Sequence, residues 1–154
     1  DGTGEPVELR VSMNRGAAPE PLAKIASGGE LARTMLALRL VLSADPATMV
    51  FDEVDAGIGG EAAQVVGAAL GRLGEQRQVV VVTHLAQVAA YADHQVTVIK
   101  SDDGSMVSVN ASPLDSDARV VELSRMLSGS PDSEAAREHA AELLTTAASA
   151  KAQR

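Results

Sequence analysis

Residues 48–60 read TMVFDEVDAGIGG, and this stretch decides the fold of the chain. The run at 48–51 is short and mostly apolar, which is typical of an interior β-strand. Two carboxylates, Asp52 and Glu53, follow at its end, and a glycine-rich turn occupies 54–60. Ligands of open α/β sheets bind outside the carboxyl ends of the strands. A site is therefore expected at the end of this strand.

Helices and a second strand surround this stretch. Residues 27–44 and 61–73 predict two helices, the first of them largely buried because apolar side chains cover most of its circumference. Four consecutive valines at 79–82 predict a strand that is buried on both faces, as in parallel sheets. A short helix is predicted at 85–92. This order of strand, helix and strand indicates an α/β fold with a mainly parallel sheet flanked by helices.

The outer segments add antiparallel and irregular structure. Residues 7–13 alternate between apolar and polar side chains, which predicts a half-buried strand. Residues 14–21 contain glycine and two prolines and are predicted to form a loop. Two strands at 95–100 and 106–110, separated by an aspartate- and glycine-containing turn, predict an antiparallel hairpin.

The character of the sequence changes after residue 114. Residues 115–127 and 133–148 predict two C-terminal helices, the second capped by Ser133. We therefore divide the chain into an α/β part at 1–114 and a helical extension of the same unit at 115–150.

Composition excludes several classes of function. The chain has 154 residues, a net charge of −8 and no cysteine, so disulfides and cysteine-ligated metals are excluded. Phe51 and Tyr91 are its two aromatic residues, which excludes a platform for base stacking. The acidic balance argues against a surface that clamps a phosphate backbone. No apolar run approaches the length of a membrane span, so no membrane partner is expected.

The lysines exclude a phosphate-binding loop within this chain. That loop requires the pattern Gly-x-x-x-x-Gly-Lys-Ser/Thr. The chain has three lysines, Lys24, Lys100 and Lys151, and none of them follows a glycine. The chain also does not begin with methionine, and we expect it to be a fragment or a processed product.

The first candidate for binding is the segment Ser27-Gly28-Gly29-Glu30 before the long helix. Serine at a helix N-cap, followed by two glycines, lets backbone N–H groups approach an anion, which the helix dipole also favours. The alternative is an ordinary capped helix start.

The other candidates lie at the two strand ends. Asp52 can hold Mg²⁺ directly or through water, and Glu53 can orient or deprotonate a water molecule. His84 directly follows the valine strand and can bond a phosphate oxygen or a water molecule. The alternatives are a solvated strand end and a structural histidine. His94 and His139 are expected to be surface residues.

Together, the three motifs resemble the second half of an ABC-type ATPase head. SGGE at 27–30 is similar to the signature motif, VFDE at 50–53 to the Walker B strand with its catalytic glutamate, and His84 to the switch histidine. Transporter subunits of this family usually have Asp-Glu-Pro after the strand, whereas this chain has Asp-Glu-Val-Asp.

The pattern is more similar to the chromosome-maintenance and repair branch, which includes the SMC and RecN proteins. The stretches similar to RecN are IASGGEL at 25–31, FDEVDAGIGG at 51–60, THLAQVA at 83–89 and RMLSG at 125–129. The resemblance extends over residues 7–148.

This resemblance implies that the chain is the C-terminal lobe of a split ATPase head from a protein of DNA double-strand-break repair. The cofactors would be ATP and Mg²⁺, with Asp52 at the metal and Glu53 and His84 as catalytic residues. Ser27, Gly28, Gly29 and Glu30 would bind nucleotide held by a second head.

The implied partners are an N-terminal lobe with the Walker A loop, separated by a coiled coil in the same full-length protein, and a second head in an ATP-dependent dimer. DNA would bind through the full-length protein. The implied location is the bacterial cytoplasm, in association with the nucleoid, and the isolated chain is expected to lack ATPase activity.

Two positions depart from the family pattern. Gly59 stands where many ABC heads have the aspartate of the D-loop, and Ala26 replaces the usual leading leucine of the signature. D-loop aspartate chemistry is therefore not carried over. Two alternatives remain open: a catalytically silent interaction or dimerisation module, and a fragment of a transporter nucleotide-binding subunit.

Overall fold

The computed structural model describes residues 8–12, 16–24, 27–41, 47–102, 104, 106–130 and 133–153. Within these ranges the chain has a mixed α/β architecture, which confirms the predicted class. The strands are β1 (Arg10–Val11), β2 (Glu20–Pro21), β3 (Thr48–Phe51), β4 (Gln78–Val81), β5 (Val96–Asp102) and β6 (Val107–Pro113). The helices are α1 (Gly28–Val41), α2 (Gly60–Gly74), α3 (Ala86–Ala89), α4 (Ser116–Ser128) and α5 (Glu134–Ala152), with a 3₁₀ turn at Leu22–Lys24.

The parallel part of the fold is the pair β3 and β4. The strands align from Thr48 opposite Gln78 to Phe51 opposite Val81. The predicted span of β3 is confirmed, and β4 begins one residue before its predicted start. In the described residues this parallel sheet has two strands, and the other two sheets are antiparallel pairs. Because β3 and β4 run in the same direction, the turns that follow them lie at one edge.

The described residues cover one face of this sheet. Met49 and Phe51 are buried against α1 and α2, and Val79 and Val81 pack beside them. On the opposite face, Val50 is 69% exposed and Val80 is 45% exposed. The prediction that the valine strand is buried on both faces is therefore wrong. Its four valines are apolar enough for two covered faces, but the described part of the chain supplies helices for one.

The helix α1 is also more exposed than predicted. Gly29 and Leu36 are its buried residues, whereas Leu31, Leu40 and Val41 are exposed. One stripe of α1 packs on α2 and β3, and no described element covers the rest. The helix was predicted to continue to residue 44, and residues 42–44 lie outside the described ranges.

Two apolar cores meet at α3. The first core joins α1, β3, α2 and Val88 of α3, and the second joins α3 to α4 and α5 through Ala86 and Ala89. Tyr91 also belongs to the second core and lies over Gly67 of α2. The helix α3 is shorter than predicted because the chain turns after Ala89. Because Val88 packs in the first core and Ala86 and Ala89 pack in the second, α3 joins the α/β part to the C-terminal helices.

The two C-terminal helices are confirmed, with caps at both starts. The side chain of Asp115 accepts a hydrogen bond from the amide of Ala118 at 2.8 Å. Ser133 accepts one from the amide of Ala136 at 3.3 Å, which confirms its predicted role as N-cap. Gly129 ends α4 with a φ of 76°, in the left-handed region that favours glycine.

The hairpin of β5 and β6 is confirmed and is longer than predicted, with Val96 opposite Pro113 and Asp102 opposite Val107. The predicted loop at 14–21 is wrong at its end, because β2 lies there and pairs antiparallel with β1. The ends of the predicted strand at 7–13 lie outside the described residues. Throughout the described ranges, none of the helices combines the length and the hydropathy that a membrane crossing requires.

The packing of Tyr91 on Gly67 can be tested by substitution. A Cβ at Gly67 would lie 2.6 Å from Tyr91 Cδ2 and 3.0 Å from the carbonyl oxygen of Gln87. Gly67→Ala is therefore expected to lower the free energy of unfolding by about 1–3 kcal/mol, despite the better helix propensity of alanine. Urea unfolding followed by circular dichroism would measure this change.

Gly74→Ala is the matched control. It lies in the same helix, and a Cβ there would meet no atom within 4 Å. The control is expected to be neutral or to stabilise α2 by up to about 1 kcal/mol. Equal effects of the two substitutions would contradict the close contact between α2 and Tyr91.

Candidate functional site

Two turns meet at the carboxyl edge of the parallel pair. Asp52 and Glu53 follow β3, and Thr83 and His84 follow β4. The amide of Val82 donates to the carbonyl oxygen of Phe51 at 2.9 Å, so the ladder continues to the edge itself. The parallel register thereby places the predicted carboxylates and the predicted histidine at the same end of the sheet.

A buried carboxylate, Asp55, joins the two turns. Its residue is 3% exposed, and its Oδ2 accepts hydrogen bonds from the hydroxyl of Thr83 and from the amide of His84, the latter at 3.0 Å. The Nδ1 atom of His84 lies 3.2 Å from the same oxygen. The Thr83 hydroxyl also accepts a bond from the amide of Leu85 at 3.1 Å. The turn after β4 is thus attached to the turn after β3 through one oxygen atom.

The charge state of Asp55 follows from these contacts. Burial by itself raises the pKa of the carboxyl group, because desolvation disfavours the charged form. The hydrogen bonds from Thr83 and His84 act in the opposite direction and outweigh it, so the pKa of Asp55 lies below its ordinary value. Asp55 is therefore a buried carboxylate that remains ionised at neutral pH.

Glu53 has an unusual backbone conformation. Its φ is 56°, in the left-handed region that non-glycine residues rarely adopt. The carbonyl oxygen of Glu53 accepts from the amide of Ala56 at 3.0 Å, and its own amide donates to Asp52 Oδ1 at 2.9 Å. Such strain costs about 1–3 kcal/mol and persists only where the surroundings hold it. Asp52 and Glu53 are both exposed, so their carboxylates are accessible to a ligand.

The N-terminus of α1 lies beside Glu53. A Cβ added to Gly28 would lie 2.5 Å from Glu53 Oε2, so the Glu53 side chain would have to move if another residue stood there. Ser27 accepts a bond from the amide of Glu30 at 3.2 Å, as an N-cap does. The ordinary capping role considered for Ser27 is therefore present in the structure. Ser27 and Gly28 are also exposed, so the capped end still faces solvent.

Arg33 and Gly29 attach α1 to the turn after β3. The Nη1 atom of Arg33 donates to the carbonyl oxygens of Ala56 at 2.8 Å and Val54 at 3.3 Å. A Cβ on Gly29 would lie 2.8 Å from the Ala56 oxygen, so a larger residue would separate helix and turn. The turn at 53–57 thus contacts the N-terminus of α1 on one side and the turn of His84 on the other.

All the predicted site residues therefore lie in three segments: the start of α1, the turn after β3 and the turn after β4. The turn at 53–57, which follows β3, contacts the other two segments. Three contributors were missed from the sequence: Asp55, Thr83 and Arg33. Thr83 lies 28 positions from Asp55, and Arg33 lies 21 positions from Val54, so no local pattern connects either pair. The one available signal was the third acidic residue of the Asp-Glu-Val-Asp run. His94 and His139 are exposed, as expected.

The carboxylates of the site suit a metal ion that is bound partly by the chain and partly by a ligand. In the described ranges, no group of three or more histidine, aspartate or glutamate side chains could hold a metal ion by itself. Mg²⁺ is commonly bound by one or two carboxylates together with phosphate oxygens and water, and the exposed Asp52 fits that role. An open groove of about 490 Å³ runs between α1 and β3, and Gly28 and Asp52 are among its lining residues.

The ionised state of Asp55 leads to a prediction on stability. Asp55→Asn keeps the shape of the side chain but removes its charge, and should lower the free energy of unfolding by about 1–3 kcal/mol at neutral pH. Because the pKa of Asp55 is depressed in the folded chain, its contribution is present above the ordinary aspartate range and is lost as the pH falls through the folded pKa. The difference between the two proteins should therefore shrink between pH 5 and pH 3.

Urea unfolding of both proteins across this pH range would measure the difference. Glu142→Gln serves as a control, because Glu142 is exposed, lies beyond the first turn of α5 and is distant in the chain from the site. A stability difference that stays constant from pH 5 to pH 3 would contradict the ionised, hydrogen-bonded state of Asp55.

Comparison with known proteins gives several relatives. The chain is 55% identical over 143 residues to the DNA repair protein RecN of Streptomyces coelicolor, covering 92% of this chain and 25% of that protein. It is 56% identical over 139 residues to RecN of Deinococcus radiodurans, covering 90% and 24%. For RecN of Mycobacterium leprae the identity is 51% over 150 residues, covering 96% and 25%.

Two further comparisons concern protein families and solved structures. No protein-family model matches the chain. A solved structure from work on the ATP-driven dimerization and DNA stimulated activation of SMC ATPases has a TM-score of 0.49 and 23% identity, covering 67% of this chain and 62% of that one. The matches to RecN lie in the C-terminal part of those proteins. The chain is therefore RecN-like in sequence, as its motifs indicated, and it spans about a quarter of the length of the curated RecN proteins it matches.

Proposed function

We propose that this chain is the C-terminal lobe of the ATPase head of a RecN-like DNA repair protein. The observation that carries the proposal is the shared turn at 53–57. It connects the N-terminus of α1, the Asp52–Glu53 pair and His84 through the contacts of Gly28, Arg33 and Asp55. Three motifs that are far apart in the sequence thereby occupy one edge of the sheet, where α/β proteins bind ligands.

The proposed roles follow from the chemistry of each side chain. Asp52 supports the Mg²⁺ of Mg-ATP, which supplies charge neutralisation to the phosphates. Glu53 positions or deprotonates the attacking water, and His84 contacts the γ-phosphate. Phosphoryl transfer depends mainly on positioning and electrostatic stabilisation. The strained backbone of Glu53 supports this role, because strain of this kind clusters at functional sites.

The segment Ser27–Glu30 is proposed to act on nucleotide held by a second head. Ser27 and Gly28 are exposed at the start of α1, so their backbone can face a partner. The same helix start lies beside the chain's own Glu53. In a dimer of heads, each α1 would therefore contact a bound nucleotide of the partner while remaining attached to its own catalytic turn.

The proposal requires a second lobe. The chain has no phosphate-binding loop and spans about a quarter of its RecN relatives, with the match in their C-terminal part. We propose that the Walker A lobe and the coiled coil belong to the remainder of the full-length protein, which would also bind DNA. Residues 1–114 would be the α/β part of this lobe and residues 115–150 its helical extension. We place the full-length protein in the bacterial cytoplasm, in association with the nucleoid.

The isolated 154-residue chain is expected to show no ATPase activity. None of its three lysines stands in a phosphate-binding loop, so nothing in the chain can hold the β- and γ-phosphates in that way. A coupled assay of phosphate release with the purified chain would measure this. Addition of a separately produced Walker A lobe is expected to restore turnover. Robust turnover by the chain alone would contradict its assignment as the C-terminal lobe of a split head.

In the full-length protein, Glu53→Gln is expected to lower kcat by about 100-fold or more, which is the usual contribution of a general base. ATP binding and head pairing should persist, because glutamine keeps the size of the side chain. Single-turnover hydrolysis and analytical ultracentrifugation with ATP would measure the two properties. Glu142→Gln is the matched control, since Glu142 is exposed on α5. An unchanged kcat would remove Glu53 from its proposed role.

A catalytically silent interaction module is the second candidate function. Gly59, at the position of the D-loop aspartate, and the absent phosphate-binding loop favour it. The assay with the added Walker A lobe separates the candidates, because a silent module would pair without turnover. The third reading, a fragment of a transporter subunit, has no support among the relatives reported above, which are all named RecN.

A further inference from the structure

Asp55 is a buried charge that the proposed mechanism does not yet use. In the part of the chain that the structure describes, it is the one buried side chain with a charge. Burying a carboxylate is unfavourable unless it is paired and hydrogen-bonded. Its partners are therefore informative, and those outside its own backbone are the hydroxyl of Thr83 and the amide and ring of His84.

The imidazole of His84 depends on Asp55 for its orientation. The side chain of His84 is 76% exposed, so packing does not fix its rotamer. Among the described residues, Asp55 provides the ring with a polar partner, with Oδ2 at 3.2 Å from Nδ1. The amide of His84 is held by the same oxygen at 3.0 Å. Backbone and ring of one residue are thus fixed by a single carboxylate oxygen.

This contact decides which ring nitrogen is available to a ligand. An ionised carboxylate can only accept hydrogen bonds, and an unprotonated Nδ1 would place its lone pair 3.2 Å from Oδ2 of Asp55. The charge of Asp55 therefore favours a proton on Nδ1. The hydrogen bond made by one ring nitrogen sets the protonation of the other, and carboxylate partners of this kind keep a histidine in one tautomer. Nε2 is then the atom that the exposed side of the ring presents.

We propose that Asp55 is a positioning residue that fixes the rotamer and the Nδ1–H tautomer of His84, so that Nε2 is the atom presented to the nucleotide. An Nε2 without a proton accepts a hydrogen bond from a water molecule beside the phosphates, and it donates to a γ-phosphate oxygen once it has taken up a proton. The identity of the ligand rests on the proposed function, whereas the orientation of the ring does not. Asp55 itself touches neither substrate nor metal in this proposal and acts through His84. A purely structural role, in which Asp55 only joins the two turns, is the competing explanation.

Thr83 allows the two explanations to be separated. Its hydroxyl donates to the same Oδ2 atom. Thr83→Val removes one bond between the turns and leaves the contact between Asp55 and the imidazole. Asp55→Asn removes the charge and with it the requirement for a proton on Nδ1. A structural role predicts equal effects of these variants on His84, and a positioning role predicts different ones.

Long-range ¹H–¹⁵N correlation spectra of the uniformly ¹⁵N-labelled chain would report the tautomer directly. His94 and His139 are exposed and serve as internal references, and His84→Gln assigns the signals of His84. We expect a protonated Nδ1 and an unprotonated Nε2 for neutral His84 in the parent chain and in Thr83→Val. In Asp55→Asn, His84 should change to the pattern of His94 and His139, and a circular dichroism spectrum equal to that of the parent chain would show that the variant is folded.

Three results would overturn the proposal: a parent His84 that matches the reference histidines, no change in Asp55→Asn, or the same change in Thr83→Val. Turnover of the full-length protein tests the consequence for catalysis. Asp55→Asn is expected to lower kcat by about 10- to 100-fold, as loss of such an orienting partner does, with a smaller change in the KM for ATP. If the tautomer changes and kcat does not, the result supports the positioning of His84 by Asp55 and contradicts the catalytic role of His84.

Discussion

The parallel pairing of β3 with β4 is the interaction on which the site depends. Because the strands run in the same direction and in register from Thr48 to Phe51, the segments that follow them leave the sheet at one edge. An antiparallel pairing would send Asp52 and His84 to opposite ends. The four residue pairs of this ladder are therefore what allows a carboxylate turn and a histidine turn, about 30 positions apart, to share a hydrogen-bonded oxygen.

The turn at 53–57 then transmits this arrangement to α1. It makes its contacts through backbone carbonyl oxygens, which accept from Arg33, and through Asp55, which accepts from Thr83 and His84. Val54, in the same turn, is fully buried in the first apolar core. The turn is thus held both by directional, partly buried polar bonds and by the packing of Val54. This combination lets the side chains that are proposed to be catalytic remain exposed while the backbone that carries them is fixed.

The sequence was informative where structure follows from local rules. The span of β3 could be predicted because an apolar run ends at two carboxylates, and the N-cap at Ser133 because serine precedes an acidic first turn. Burial was predicted less well, since α1 and the valine strand are apolar on faces that no described element covers. Their composition is suited to a larger assembly than the chain itself provides.

Prediction of the site from the sequence had the same limit. The motifs identified Asp52, Glu53 and His84, each of which follows a recognisable strand. Asp55 and Arg33 could not be assigned, because their contacts depend on the register of two strands and on the approach of a helix. The strand β2 and its pairing with β1 were missed for a different reason. A ladder of two residues is too short to impose a periodic pattern, and proline at its end indicates a loop more strongly than a strand.

The uncovered face of the β3–β4 sheet has a consequence for the colloidal behaviour of the chain. Val50, Val80 and Val82 form an apolar patch there that attracts similar surfaces on other copies. The net charge of −8 opposes this attraction. Salt screens the repulsion over about 8 Å at physiological ionic strength but leaves the apolar attraction in place. We therefore expect the solubility of the chain by itself to fall as salt is added.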